Sequence, residues 1–436
     1  MRYHTRYTSS AWKLTRLSAL LVPAALLSFT TCAIQLAAAP PLPLHITCVG
    51  DAPTSDSIEF RGVAAGPFDR RAWTRGSLHW LPDVRSPLLE PRPGAARNIY
   101  APSIIARRGY WDIYYGAWDG VPTFNDRIYH TSTTDFLNFN ERRTIIEHGE
   151  FHHVCNVSAV ALGDHGTAML CTGYPDLRDR NKPVFFSSTD GTLWNSHPPP
   201  LPASRSNIVS LSGYATYDDA DINGMNVLFR DNSLYRMYFA DFRNFGKVYR
   251  ATSDNGTSYS LDGVALDKGA APNDIKRFID ANGTATYLMG LHMNQARTWY
   301  ATSSDGFHFN PMHEMFRPIG PADNYIVAIG FVTTGENELA DQRLLGVLYG
   351  AGAVPSLDQN RIFARWLQKR VQVEHNGTAS TPTHAYGPHR QLLKTTGSGV
   401  MECSVSLSGE DGITSLGSTR AVLRPGKSYQ LTFSRE

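Results

Sequence analysis

The sequence predicts an all-β fold, a five-bladed β-propeller followed by a small C-terminal β appendage. One observation is a stretch that recurs four times: IYHTSTTDFLNFN (128–140), VFFSSTDGTLWN (184–195), VYRATSDNGTSYS (248–260) and WYATSSDGFHFN (299–310). Aligned on Asp135, Asp190, Asn255 and Asp305, the copies lie 55, 65 and 50 residues apart. A strand-rich unit repeating near every 50 residues is the signature of propeller blades, each a four-stranded sheet. The other observation is composition. The 436 residues include 20 Tyr, 20 Phe, 8 Trp, 36 Gly and 26 Pro, with no long amphipathic helical pattern. Aromatic and β-branched residues favour strands, and Gly and Pro favour the turns between them.

The chain opens with an export signal. Arg2, Arg6, Lys13 and Arg16 precede the apolar run SALLVPAALLSF (18–29), and LAAAP (36–40) offers small residues for cleavage. Residues 1–40 are therefore set apart from the fold. The run is short and broken by Pro23, which argues against a membrane anchor, and Phe-Thr-Thr before Cys32 is a poor context for lipid attachment. The expected location is secreted or periplasmic, and the Ala-rich signal is of bacterial type. Formal net charge is +2, with no basic run and no acidic tail. Nucleic acid is therefore not expected as a partner, nor is a membrane span in the mature chain. Export permits disulfides among Cys48, Cys155, Cys171 and Cys403, with Cys155–Cys171 and Cys48–Cys403 as candidate bridges beside the alternative of buried thiols. No Cys or His spacing suggests zinc, and no cofactor is expected, a structural cation at the funnel floor apart.

Each blade is expected as four strands. The first reads APSIIAR, WDIYYGAW, DRIYHTST and LNFNERRTI. The second reads NVSAVALG, TAMLCTGY, KPVFFSST and TLWNSHP, and the third MNVLFRD, LYRMYFAD, KVYRATS and SYSLDGVAL. The fourth reads IKRFIDA, ATYLMGLH, RTWYATS and FHFNPMHEMF. The fifth unit, NYIVAIGFVTT, RLLGVLYGAG and RIFARWLQKRVQV, lacks an outer strand, which GSLHWLPDVRSPLLEP (76–91) has the character to supply. Such a strand closes the ring and removes open edges. The propeller is thus placed within residues 41–375 and the appendage in 376–436. The repeated turn acids Asp135, Asp190 and Asp305 lie on the far side of the blades and are expected to shape turns. The sequons at Asn156, Asn255, Asn282 and Asn376 are read as turn sequences.

The inner strand YAPSII, second strands such as YWDIYYGAW, and third strands ending in ATS-x-DG-x-x-F resemble the five-bladed β-propeller glycoside hydrolases, the arabinanase, xylosidase, levansucrase and invertase clan. The likeness covers most of the mature chain. It implies an exported glycosidase acting on a poly- or oligosaccharide through paired carboxylates in a central funnel. One carboxyl protonates the leaving oxygen and the other activates water or attacks the sugar. The polar residues at the strand entries and second turns include Arg97, Asn98, Tyr100, Trp118, Asp119, Asn125, Asp126, Glu150, His152, His153, Tyr174, Asp176, Arg178, Asp179, Asn223, Asn273, Asn294 and Asp358.

In the resembling enzymes the carboxylates come from the first, third and fourth blades. ATYDDADING (215–224) matches the third position and offers Asp219 and Asp221. APNDIKRF (271–278) matches the fourth in part and offers Asp274, with Lys276 two residues on. The first departs from the family: RNIYAPSII carries Asn98 where an Asp is usual, and the invertase-type Asn-Asp-Pro-Asn motif is absent. Either Asp119 or another funnel carboxylate such as Glu150 supplies the role, or the chemistry differs, or catalysis is lost. Asn98, Tyr100, Trp118, His153, Lys276, His292 and Arg361 are the expected substrate-binding residues. Because Asn cannot serve as a base, a glycan-binding propeller without turnover is the alternative. A sialidase-like propeller rests only on TSDNGTSY (252–259), the single copy with Asp-box spacing.

Overall fold

The computed structural model describes residues 44–47, 56–61, 70–175, 180–224, 226–279, 283–334, 343–356, 359–395, 401–408, 415–424 and 426–434. The predicted signal segment, Cys32, Cys48, Asp176, Arg178, Asp179, Asn282 and Asp358 lie outside them. The described chain is nearly all β, with one short helix, Arg70–Arg75, and a few single turns of 3-10 helix. No helix among the described residues is long and apolar enough to cross a membrane.

Five antiparallel meanders follow one another. The first comprises Arg97–Arg107, Tyr110–Asp119, Arg127–Thr133 and Arg143–Glu147. The second comprises His153–Leu162, Gly166–Tyr174 and Lys182–Ser188. Val227–Asp231, Leu234–Phe239, Val248–Ser253 and Ser258–Leu266 make the third. Ala271–Ile279, Ala285–His292, Thr298–Ser303 and Met312–Phe316 make the fourth. The fifth is Tyr325–Thr333, Leu344–Gly352 and Arg361–Leu367, completed by Trp80–Pro82 from the N-terminal side. That completion is the one expected of residues 76–91.

The first strand of each sheet touches the first strand of the next, and that of the fifth touches that of the first. At this last junction a Cβ on Gly330 would overlap the Pro102 carbonyl. Gly330→Ala is accordingly expected to destabilise the fold by about 1–3 kcal/mol, the range for overpacking, read from urea unfolding.

The second sheet differs from expectation. TLWNSHP forms no fourth strand; Trp194 and His197 close a tight bridge instead. Asn195 and Ser196 have positive φ, and Pro198, Pro199 and Pro200 have no amide to donate to a ladder. The chain that follows covers two outer edges, because Leu201–Pro202 pairs in parallel with the first sheet and Ser210–Ser212 with the third.

The four repeated turns share one hydrogen-bond pattern. Asp135 Oδ1 accepts the amides of Leu137 and Asn138, and Asp190 Oδ1 those of Thr192 and Leu193. Asn255 Oδ1 accepts from Thr257 and Ser258, and Asp305 Oδ1 from Phe307 and His308, all eight bonds lying at 2.8–2.9 Å. These side chains shape turns, as their position in the repeat predicts. Three copies place Gly191, Gly256 and Gly306 at positive φ; the first places Phe136 there at 57°. Its ring is buried between Trp111 and Trp366, with centroids 4.8 and 5.0 Å away, which offsets the left-handed backbone.

Two further sheets use the chain ends. One runs in the order Leu44–Thr47, Asp56–Arg61, Ser428–Ser434, Arg390–Lys394, His384–Ala385, and the other Thr378–Ser380, Arg370–His375, Met401–Ser408, Ser415–Leu423. They share a core that includes Val371, Val373, Leu393, Val405, Leu423 and Leu431. This C-terminal unit thus begins with the strand at Arg370, and it takes in Asp56–Arg61 as a parallel partner of Ser428–Ser434.

The proposed Cys155–Cys171 bridge does not form; both are buried free thiols. Cys155 pairs in register with Thr172, so Cys171 faces the other side of the sheet and packs in a different core. Burial pushes both thiols up from their ordinary range. Neither is expected to react with Ellman's reagent until the protein unfolds; reaction of either in the native state contradicts this packing.

Candidate active site

An open cleft of about 830 Å³ lies where the first, second and fifth sheets present their loops. Trp118, Phe124 and Asn125 reach it from the second turn of the first sheet, His152 and His153 from the entry to the second, and Gln359 and Arg361 from the fifth. Arg97 opens the inner strand beside them. Trp118 and Phe124 meet edge to face, 6.2 Å between centroids, and Trp118 also lies 6.1 Å from the His153 ring. Such aromatic faces suit an apolar ring face with polar groups at its edge.

Local geometry explains why side chains gather here. The inner strands bulge at this end, between Tyr100 and Ser103 in the first sheet and between Cys155 and Ser158 in the second. Ala101 and Asn156 hold positive φ, 49° and 54°, at these bulges. A bulge re-aims the flanking side chains, and here it turns Tyr100 and Cys155 into one buried cluster.

Beneath the cleft lies Asp126, 4 % exposed. Its Oδ2 is 2.9 Å from His153 Nδ1, which also accepts the Asp126 amide at 3.0 Å. Asp126 Oδ1 is buried and, among the described residues, has no hydrogen-bond partner. Burial pushes the Asp126 carboxyl up, against the opposing pull of His153. Burial likewise raises the Tyr100 and Tyr174 hydroxyls and lowers His152. Because Nδ1 is engaged by Asp126, Nε2 is the His153 nitrogen left for the cleft. Tyr174, 5.8 Å from His153 between ring centroids, donates to Asn223 Oδ1 and takes the Asn156 amide at 3.2 Å.

The structure brings together Trp118, His153 and Arg361 of the residues expected from sequence, with Tyr100 in the cluster beneath them. It places the others elsewhere. Asn98 is fully buried and accepts the Asn360 amide at 2.7 Å, tying the first sheet to the loop of the fifth. Asp119, 1 % exposed, accepts from Arg92 Nε at 3.0 Å, Arg142 at 3.4 Å and Tyr115 at 3.3 Å, so it anchors the loop behind Trp118.

Asp219 stands on an exposed turn near Arg243, and Asp221, half-buried, accepts from Asn181 at 2.7 Å. Asp274 and Lys276 are buried among the inner strands: Asp274 Oδ2 accepts the Phe331 amide at 2.8 Å, and Lys276 lies 3.4 Å from both Asp274 Oδ1 and the Ile104 carbonyl. His292, lowered to about 4 by burial, hydrogen-bonds Asn273 at 2.6 Å. Sequence reasoning gave no role to Asp126, and missed Phe124 and Gln359 altogether. No feature of the pattern marks Phe124 or Gln359, which act only as loop positions. Among the described residues no group of three or more His, Cys, Asp or Glu is arranged to hold a metal ion.

No family model matches the sequence. No curated protein matches it either. Solved structures similar to it include a glycosyl hydrolase from Bacteroides ovatus, at 12 % identity over 69 % of this chain and 96 % of that one, with a TM-score of 0.46. The catalytic domain of the Coprinopsis cinerea GH62 alpha-L-arabinofuranosidase is similar at 14 % identity over 67 % and 97 %, with a TM-score of 0.45. The Bombyx mori GH32 beta-fructofuranosidase is similar at 12 % identity over 80 % and 90 %, with a TM-score of 0.44. All three are named as glycosidases or glycosyl hydrolases.

Proposed function

We propose that this chain is an exported glycosidase built as a five-bladed β-propeller, with its active site in the cleft between the first, second and fifth blades. The five meanders are the blades, and Trp80–Pro82 is the strand that closes the ring. The observation that carries the reading is a buried carboxyl, Asp126, bonded to a histidine that faces an aromatic-walled cleft.

A glycosidase needs one acid that holds its proton and one carboxylate that stays ionised. Asp126 suits the first role, since burial favours its protonated form. It reaches the cleft through His153. Nε2–H gives its proton to the glycosidic oxygen while Nδ1 takes the Asp126 proton, so the imidazole stays neutral but passes to its other tautomer, and the carboxyl becomes a carboxylate. Asp221 stands outside the cleft lining, held by Asn181, and is the candidate partner only through its loop, whose Asn223 bonds Tyr174 beside His153. Trp118 and Phe124 would stack on the sugar.

The test is hydrolysis of aryl glycosides and of plant and algal polysaccharides by the mature chain, beside Asp126→Asn, Asp221→Asn and Asp274→Asn. Loss of turnover in the first two and its survival in the third is expected. Survival in Asp126→Asn would sink the assignment. One observation favours a second reading: the described residues lining the cleft include no carboxylate. Glycan binding with no turnover on any substrate would make the chain a binding module.

A further inference from the structure

We propose that the cleft takes a glycan bearing a carboxylate or sulfate group, with Arg97 and Arg361 as the residues that bind the anion. This rests on the reading of the cleft as a glycan site. Its described lining carries two arginines and two histidines and no acid. Among the described residues, the acids paired or bonded to its arginines do not balance this charge. Arg97 faces Asp119 across the strand ladder, but Asp119 is engaged by Arg92 and Arg142. Two arginines thus already occupy that carboxylate, and Arg97, exposed at the cleft, makes no ion pair among the described residues. Arg361 meets Glu90 through Nε at 3.4 Å and the Gln359 carbonyl through one terminal nitrogen at 2.8 Å, which among the described residues leaves the other terminal nitrogen.

A guanidinium fork matches the planar oxygens of a carboxylate or the oxygens of a sulfate. The His153 Nε2 and the Trp118 and Phe124 rings stand in the same cleft, so the site joins an anion clamp to a platform for a sugar ring. A neutral glycan would leave Arg97 without a counter-charge among the described residues.

The test is calorimetric titration of the mature protein with trigalacturonate, with neutral galactotriose, and with one sulfated and one desulfated galacto-oligosaccharide. Single-stranded DNA of equal charge is the control. A charged sugar is expected to bind at least about tenfold more tightly than its neutral counterpart, and Arg97→Gln to lose about tenfold for it, the scale of one charge-assisted hydrogen bond. Preference for the uronate or for the sulfate tells which group the clamp fits, and either supports the proposal. Equal affinity for charged and neutral sugars overturns it. So does binding of DNA as tight as that of the charged sugar, a full-affinity Arg97→Gln variant with an unchanged thermal midpoint, or no binding of any probe. Charged-sugar binding without turnover leaves this proposal standing and removes the glycosidase. Turnover restricted to neutral glycosides does the reverse.

Discussion

Asp83→Ala is expected to cost about 3–5 kcal/mol of unfolding free energy, the range for removing one member of a buried, hydrogen-bonded charge pair. Asp83 is 2 % exposed and takes five donors. Arg85 contributes its amide and Nε to Oδ1, both at 2.9 Å, and a terminal nitrogen to Oδ2 at 2.6 Å. Trp366 Nε1 reaches Oδ2 at 2.7 Å and the Gly387 amide at 2.9 Å. The five donors come from three residues in different parts of the fold. Trp366 is the third strand of the fifth sheet, Gly387 belongs to the C-terminal unit, and Arg85 also donates to the Phe136 carbonyl of the first sheet at 2.8 Å. Alanine strands Trp366 Nε1 in a fully buried place and leaves the guanidinium without its anion.

The Asn variant keeps the shape and the acceptor oxygen but loses the charge, so it is expected to recover part of the loss. Urea unfolding of both against wild type checks this. An Asp83→Ala loss below about 1 kcal/mol would show that Trp80–Pro82 and its neighbours hold to the fifth sheet without the carboxylate.

The architecture was legible because it repeats. Turn residues at four equivalent places, three Asp and one Asn, set the phase, and the missing outer strand of the fifth unit pointed to residues 76–91. The second sheet's outer strand was misjudged because TLWNSHP has strand-like residues at its start, while the prolines after it decide the outcome. The site was far less legible. A carboxylate at a strand entry looks the same in sequence whether it faces a ligand, as proposed for Asp221, or a neighbouring amide, as Asp274 does with Phe331. Asp119 reads as a free acid until Arg92 and Arg142, 27 and 23 residues away, are folded onto it. Asp126 reads as a turn residue until burial and His153 give it a distinct environment. Contacts between sheets, not local pattern, separate these cases.

Asp126→Asn is expected to lower kcat by about 10²–10⁴-fold, the scale of a lost general acid, on whichever glycoside proves to be a substrate. It is expected at the same time to raise stability near neutral pH. The sign follows from the direction of the shift. Burial raises the folded-state pKa of Asp126 above its unfolded value, so the native state holds the proton more tightly. Between the two values stability falls as pH rises, and above both the full penalty of an ionised buried carboxyl remains. Asparagine removes that penalty and keeps the shape.

Activity behaves in parallel: the acid form is present below the raised pKa and lost above it, so the alkaline limb of the kcat profile should vanish in the variant. His153→Ala should lose a similar factor, and the double variant little more, because the two act as one proton path. A variant that loses turnover but unfolds at lower urea than wild type would mean Asp126 is structural. One that unfolds at higher urea and is inactive would show a carboxyl kept in a costly place for its chemistry.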